Sequence, residues 1–246
     1  MDEMLFVAMT GAKQTEVAQS INSNNLANIS TTGFRADLHA FSSRPIEGPG
    51  VDSRVNSVAE SYGTDLSTGA IQTTGRSTDA AILGEGFFAV QAPDGTEAYT
   101  RRGDFRIDSG GLLVTGDGHL VMGQGGPVAV PPNSSLTIGD DGTISVQPIG
   151  QGPETISEVD RLKLVNPDPA TLEKADSGLL RLANGGEADA DATVTVQAEK
   201  LEGSNVNVAK TLVNMIELAR RYEQQVNVIK TAEENADSAA QMMRLR

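Results

Sequence analysis

The sequence contains no cysteine and no tryptophan, and only six Phe and three Tyr among 246 residues. Without Cys there is no disulfide framework, no thiolate metal site and no Cys nucleophile. Without Trp there is no indole platform of the kind sugar sites use. No stretch approaches the ~20 apolar residues of a membrane helix, so no direct membrane insertion is expected. Met1–Asp2–Glu3 is acidic where a secretory leader is basic, and no 7–15-residue apolar run follows. The chain therefore reads as cytoplasmic, or as exported by a route that uses no cleaved peptide. Basic residues are also scarce, 19 against 33 acidic, for a net charge of −14. That balance argues against nucleic acid or an anionic membrane as partner.

What is present is unevenly placed. All ten prolines lie between Pro45 and Pro169, and 23 of the 26 glycines lie within residues 36–200. That stretch holds 11 basic and 24 acidic residues, so it carries −13 of the −14. The ends, 1–35 and 201–246, are Pro-free and near neutral. The chain thus divides into a segment 1–35, an arm 36–80, a body 81–200 and a segment 201–246.

Both ends read as helices. Residues 3–29 have one Gly and a weak apolar face that includes Met4, Ala8, Ala18 and Leu26. A helix with so little apolar surface is marginal unless it packs on something. Asn24, Asn25 and Asn28 stand at its end, with Asn24 and Asn28 on one face. Thr31–Thr32–Gly33–Phe34 reads as its stop, with Gly33 left-handed just past the last turn. At the other end, spacings of four and three give Val208, Leu212, Met215, Ala219, Tyr222, Val226 and Ile229, and then, with Glu233 as the exception, Ala236, Ala240 and Met243. This is a coiled-coil seam, with Ser204 or Asn205 expected as N-cap. At 1.5 Å per residue, about 40 residues make a rod of about 60 Å. Such a rod needs a second long helix, from its own N-terminus or from another chain.

The body reads as β structure, with short apolar runs separated by turn signals. Runs at Ala80–Leu83, Gly86–Gln91, Ala98–Arg101, Phe105–Ile107, Leu112–Val114, Leu120–Met122, Val128–Val130, Leu136–Ile138, Thr143–Val146, Leu162–Val165 and Thr193–Val196 are candidate strands. Gly95, Gly111, Gly118, Gly142 and Gly185 supply the positive φ that hairpin turns want. Residues 42–80 are rich in Ser, Gly and Thr and read as an extended, poorly packed arm. The fold class expected is α+β, a central all-β domain flanked by long terminal helices.

Chemistry-bearing motifs are weak. Gly84–Glu85–Gly86–Phe87–Phe88 begins like a nucleotide loop, but it lacks the third Gly and leads into β runs, so a tight turn is the better reading. Asp140–Asp141–Gly142 and Asp117–Gly118 do not extend to a calcium loop with its closing Glu. His39 and His119 are isolated, with no metal spacing around them. Ser and Asp are plentiful enough for a triad, yet no Gly-x-Ser-x-Gly elbow exists; paired carboxylates for glycoside hydrolysis are equally unsupported. No catalytic residue, cofactor or metal site is expected.

Three segments together resemble the axial proteins of the bacterial flagellar rod and hook. They are Asn24–Asn25–Leu26–Ala27–Asn28 with Thr32–Gly33–Phe34–Arg35; Gly84–Phe88 with Tyr99–Phe105 and Gly111–Val114; and Leu201–Val206 with Met215–Ile216 and Arg221–Tyr222–Glu223. Within that family Leu201–Glu202–Gly203 and Ala219–Arg220–Arg221–Tyr222–Glu223 look like the proximal rod type, the distal rod being the near alternative. The resemblance implies a non-enzymatic subunit, exported unfolded by the flagellar type III apparatus without a cleaved signal. It would stack helically with its own copies and neighbouring rod proteins across the periplasm. Its helices would pack between subunits, with Met4, Ala8, Ala18, Leu26, Leu212, Met215, Ala219, Tyr222, Val226 and Ile229 in the contacts and Asn24, Asn25 and Asn28 fixing register. A different class, a periplasmic or secreted binding module whose helices merely dimerise, would share the same pattern. It would be told apart by association that stops at a dimer.

Overall fold

The computed structural model describes residues 2–45, 55–149, 155–175 and 177–244. A helix opens the chain, a β-rich middle follows and a second long helix closes it. The chain divides into two compact units. A helical unit takes Met1–Asn28, Asp37–Gly63 and Val206–Arg246, and a β unit takes Ile29–Ala36 and Thr64–Asn205.

The helical unit is built from α1 (Asp2–Ala27), the paired strands β1 (Asp37–Pro45) and β2 (Val55–Thr64), and the long helix (Val208–Arg244). Within the arm expected over 36–80, of which 46–54 lie outside the described residues, β1 and β2 are extended and pair with each other rather than lying loose. A backbone ladder needs no large apolar side chains, so a Ser-rich stretch can form one. The long helix starts later than residue 201. Its cap is Asn207, whose Oδ1 accepts the Lys210 N–H at 3.0 Å. Ser204 and Asn205 are therefore not the cap. Asn205 is engaged elsewhere: its Oδ1 accepts the Ala36 N–H at 2.8 Å and its Nδ2 donates to the Asp65 carbonyl at 2.8 Å.

In the β unit the strands are antiparallel. They are β3 (Ile71–Thr73), β4 (Ala80–Leu83), β5 (Phe87–Gln91), β6 (Glu97–Thr100), β7 (Arg106–Ile107), β8 (Leu113–Val114), β9 (Leu120–Val121), β10 (Asn133–Ile138), β11 (Thr143–Pro148), β12 (Ser157–Arg161), β13 (Leu164–Val165), β14 (Leu172–Lys174), β15 (Leu180–Leu182), β16 (Thr195–Ala198) and β17 (Lys200–Glu202). The main sheet runs β14-β15-β6-β5-β9-β8-β7, with β13 also on β5. Beside it are a three-stranded sheet β10-β11-β12 and the pairs β4–β16 and β3–β17. Val128–Val130, expected as a strand, makes only isolated bridges through Pro127 and Ala129. Prolines at 127 and 131 lack the N–H a continuous ladder uses.

Alternation along β5 distributes the core. Phe88 packs in the larger cluster, edge-on to Phe105 at 5.1 Å, while Phe87 and Ala89 join Tyr99, Val165 and Leu180 in a second. Side chains of successive strand residues leave opposite faces, so one short strand serves two cores. The five expected turn glycines all have positive φ, from 69° to 91°. Gly84 and Gly86 do as well, at 78° and 122°, in the turn from β4 to β5.

α2, the helix Val208–Arg244, runs antiparallel to α1. Thr15 Oγ1 donates to Gln225 Oε1 at 3.1 Å, and Asn22 Nδ2 donates to the Thr211 carbonyl at 2.9 Å. On α1 the contact line is Gly11, Thr15, Ala18 and Asn22, at spacings of four and three. On α2 it is Thr211, Leu218 and Gln225, seven apart. A Cβ at Gly11 would stand 3.0 Å from the Gln225 amide nitrogen, so the small residue sets the approach there.

Candidate assembly surface

α1 presents a small, polar line to α2, and α2 answers with Thr211, Leu218 and Gln225 rather than with its bulkiest residues. The apolar seam read from the sequence is consequently turned partly outward. Leu212 is 44% exposed and Tyr222 42%, while Met215, Ala219, Val226 and Ile229 are half-buried. Val208, Leu212 and Ile216, four apart, form one exposed apolar row, with Val213 beside it. On α1, Phe6, Met9 and Val17 are exposed in the same way.

The other expected residues are placed as follows. Ala18 is fully buried between the helices, and Ala8 and Leu26 are half-buried. The side chain of Met4 lies outside the described residues. Asn24 is exposed, and Asn28 Nδ2 donates to its carbonyl at 3.0 Å, which caps the end of α1. Asn25 is buried and hydrogen-bonds the Asp37 backbone in both directions, each at 2.9 Å. It thus holds the start of β1. The amide of α1 that reaches α2 is Asn22, which the sequence reading passed over although it shares the spacing of Thr15 and Ala18.

The β unit contains a second site the sequence reading did not assemble. Glu202 on β17 is buried, and its two oxygens meet two buried guanidiniums. Arg35 Nη2 lies at 2.7 Å from Oε1 and Arg101 Nη1 at 3.0 Å from Oε2. Oε1 also accepts the Gly69 N–H at 2.7 Å, and the Glu202 carbonyl accepts the Gly33 N–H at 2.7 Å. Gly33 has φ 65°, and a Cβ there would collide with the Arg101–Arg102 peptide; only glycine fits. Arg101 stacks over the Phe87 ring at 5.3 Å, and Lys174 Nζ stands 4.4 Å over the Phe34 ring. Burial pulls the Arg101 guanidinium below its ordinary value; Glu202 opposes this and Arg35 adds to it. One residue from each resembling segment, Arg35, Arg101 and Glu202, meets here. Truncating one partner of such a cluster strands buried charge.

Asp94, Asp108, Asp141 and Asp191 are occupied in turns, each accepting a backbone N–H two residues on, at 2.8–3.1 Å. Among the described residues no group of three or more His, Asp or Glu stands together as a metal cage, and no helix is long and apolar enough to cross a membrane.

Comparison with known proteins gives three matches in chain order. Residues 5–35 match the flagella basal body rod protein family, residues 81–146 the flagellar hook protein FlgE/F/G D1 domain, and residues 197–242 the C-terminal segment of the flagellar basal body rod FlgEFG proteins. The chain is 40% identical to the flagellar basal-body rod protein FlgF of Escherichia coli K12 and 39% identical to FlgF of Salmonella typhimurium, covering 99% of both chains in each case. It is 33% identical to the rod protein FlgG of Buchnera aphidicola from Schizaphis graminum, covering 97% of this chain and 98% of that one.

Proposed function

The chain belongs to the FlgE/F/G family of flagellar rod and hook proteins and is a structural subunit of the basal-body rod, and we propose that it is the proximal rod subunit. In this reading it polymerises helically with copies of itself and with neighbouring rod proteins, and the polymer carries motor torque across the periplasm. It reaches that compartment unfolded, through the flagellar type III apparatus, and it has no catalytic role.

The carrying observation for the subtype is the full-length identity of 40% and 39% to two FlgF proteins, against 33% to FlgG. Leu201–Glu202–Gly203 and Ala219–Arg220–Arg221–Tyr222–Glu223 point the same way. Polymerisation is supported by the outward apolar row of α2. Two different patches, one on each of two copies, make a heterologous contact, and such contacts propagate into helical filaments unless the rotation closes. Met4, Ala8, Leu26, Leu212, Met215, Ala219, Tyr222, Val226 and Ile229 are the proposed contact residues. Ala18 and Asn25, being buried, act by holding α1 in shape, and Asn24 and Asn28 by ending it.

Electron microscopy of basal bodies from a strain lacking this protein tests the subtype. Loss of the proximal segment is expected. Loss confined to the distal segment would make the chain a distal subunit.

A further inference from the structure

The helical unit carries a groove that the apolar row does not account for. It encloses about 430 Å³ between α1 and α2, lined by Glu16, Gln19, Ser20 and Ser23 on one side and Tyr222 on the other. Glu16 and Tyr222 are exposed, and Glu16 makes no ion pair among the described residues. A carboxylate, an aromatic ring, an amide and two hydroxyls are the complement of a guanidinium. The carboxylate takes paired N–H bonds, the ring face attracts the cation, and Ser and Gln oxygens accept the remaining donors.

We propose that Arg220 of a second copy of this chain inserts into the Glu16–Tyr222 groove. The proposal rests on the polymerising reading above and names one of its contacts. Arg220 is exposed and makes no ion pair among the described residues. It stands two positions from Tyr222, on a different face of α2, because residues i and i+2 do not share a face. It therefore cannot fill the groove of its own chain. Arg221 lies over the Phe41 ring at 5.8 Å. Lys210 and Lys230 are also exposed, but an ammonium lacks the planar fork that suits a carboxylate beside a ring. Knob and groove lie on different faces of one unit, so each copy can give one contact and receive another, and the contact does not close on a dimer.

The test uses full-length protein, with polymer onset followed by light scattering and electron microscopy. Glu16→Arg and Arg220→Glu are each expected to raise the onset concentration about tenfold or more, because each sets like charges together. The double variant, with the charges exchanged, should return to within about threefold of the parent. A second readout exploits the absence of native Cys. Glu16→Cys and Arg220→Cys copies are mixed with oxidised glutathione, and mixed disulfide dimers should outrun like-with-like dimers. Single charge variants that assemble at the parental concentration, a double variant without rescue, or predominance of like-with-like cross-links would each overturn the groove contact and leave polymerisation standing. A parent chain that forms no polymer at any concentration would overturn both.

Discussion

The two units treat their apolar side chains in opposite ways. Among the described residues, every fully buried apolar side chain belongs to the β unit except Ala18 and Leu218. Of the 17 large apolar side chains left exposed among the described residues, 12 belong to the helical unit. The β unit completes its core within one chain. The helical unit is held by side-chain hydrogen bonds such as Asn22 to Thr211, each worth only about 0.5–1.5 kcal/mol net, and leaves its bulk outside. On the proposed function, stability and assembly fall to different parts of the molecule.

The bluntest way to break that comparison is to delete residues 206–246. The β unit ends at Asn205, so its sheet signal and cooperative melt should persist while assembly is abolished. Motile flagella built from the truncated chain would end the assembly reading. Next in size is Glu202→Gln. It removes the charge that Arg35 and Arg101 share and should cost the β unit about 3–5 kcal/mol. Urea unfolding of the full chain, followed by sheet circular dichroism, reads this directly. A loss below about 1 kcal/mol would mean that the buried cluster relaxes at little expense.

The parts legible in the sequence were the local ones. Gly95, Gly111, Gly118, Gly142 and Gly185 mark turns because positive φ is a property of a few neighbouring residues. β4 and β5 stood out because their apolar runs are nearly continuous. By contrast, β1, β2 and β17 intersperse their apolar residues with Asp, Asn, Ser, Arg, Lys and Glu, and pairing with another strand defines them. The Arg35–Arg101–Glu202 cluster was illegible for the same reason: its members are separated by 66 and 101 positions. Each lay inside a quoted segment, yet nothing local says that they meet. The spacing on α2 also leaves open which helix its bulky residues meet; within the chain the partner helix is small and polar and takes Thr211, Leu218 and Gln225 instead.

A smaller effect sharpens the helical side of the comparison. Asn22→Ala removes the amide that donates to the Thr211 carbonyl and should destabilise the helical unit by about 0.5–1.5 kcal/mol. Hydrogen exchange along α1 and α2 should rise, with that of the β unit unchanged. Exchange rising equally in both units would show that they unfold as one, and the division of labour would fail.

The smallest expected change on folding is also the sharpest discriminator. Ile216 is 56% exposed on the apolar row of α2, so Ile216→Ser removes little that the folded chain uses. Exposed substitutions away from caps and networks usually fall within about ±0.5 kcal/mol, and the melt should not move beyond that. Assembly should nevertheless weaken, since the apolar side chain contributes about 1.5–3 kcal/mol when it becomes fully buried against a neighbour. A variant that melts like the parent but polymerises poorly places the value of Ile216 between subunits. A variant that melts several degrees lower would place it inside the chain. The outward row of α2 would then be part of the fold of the helical unit.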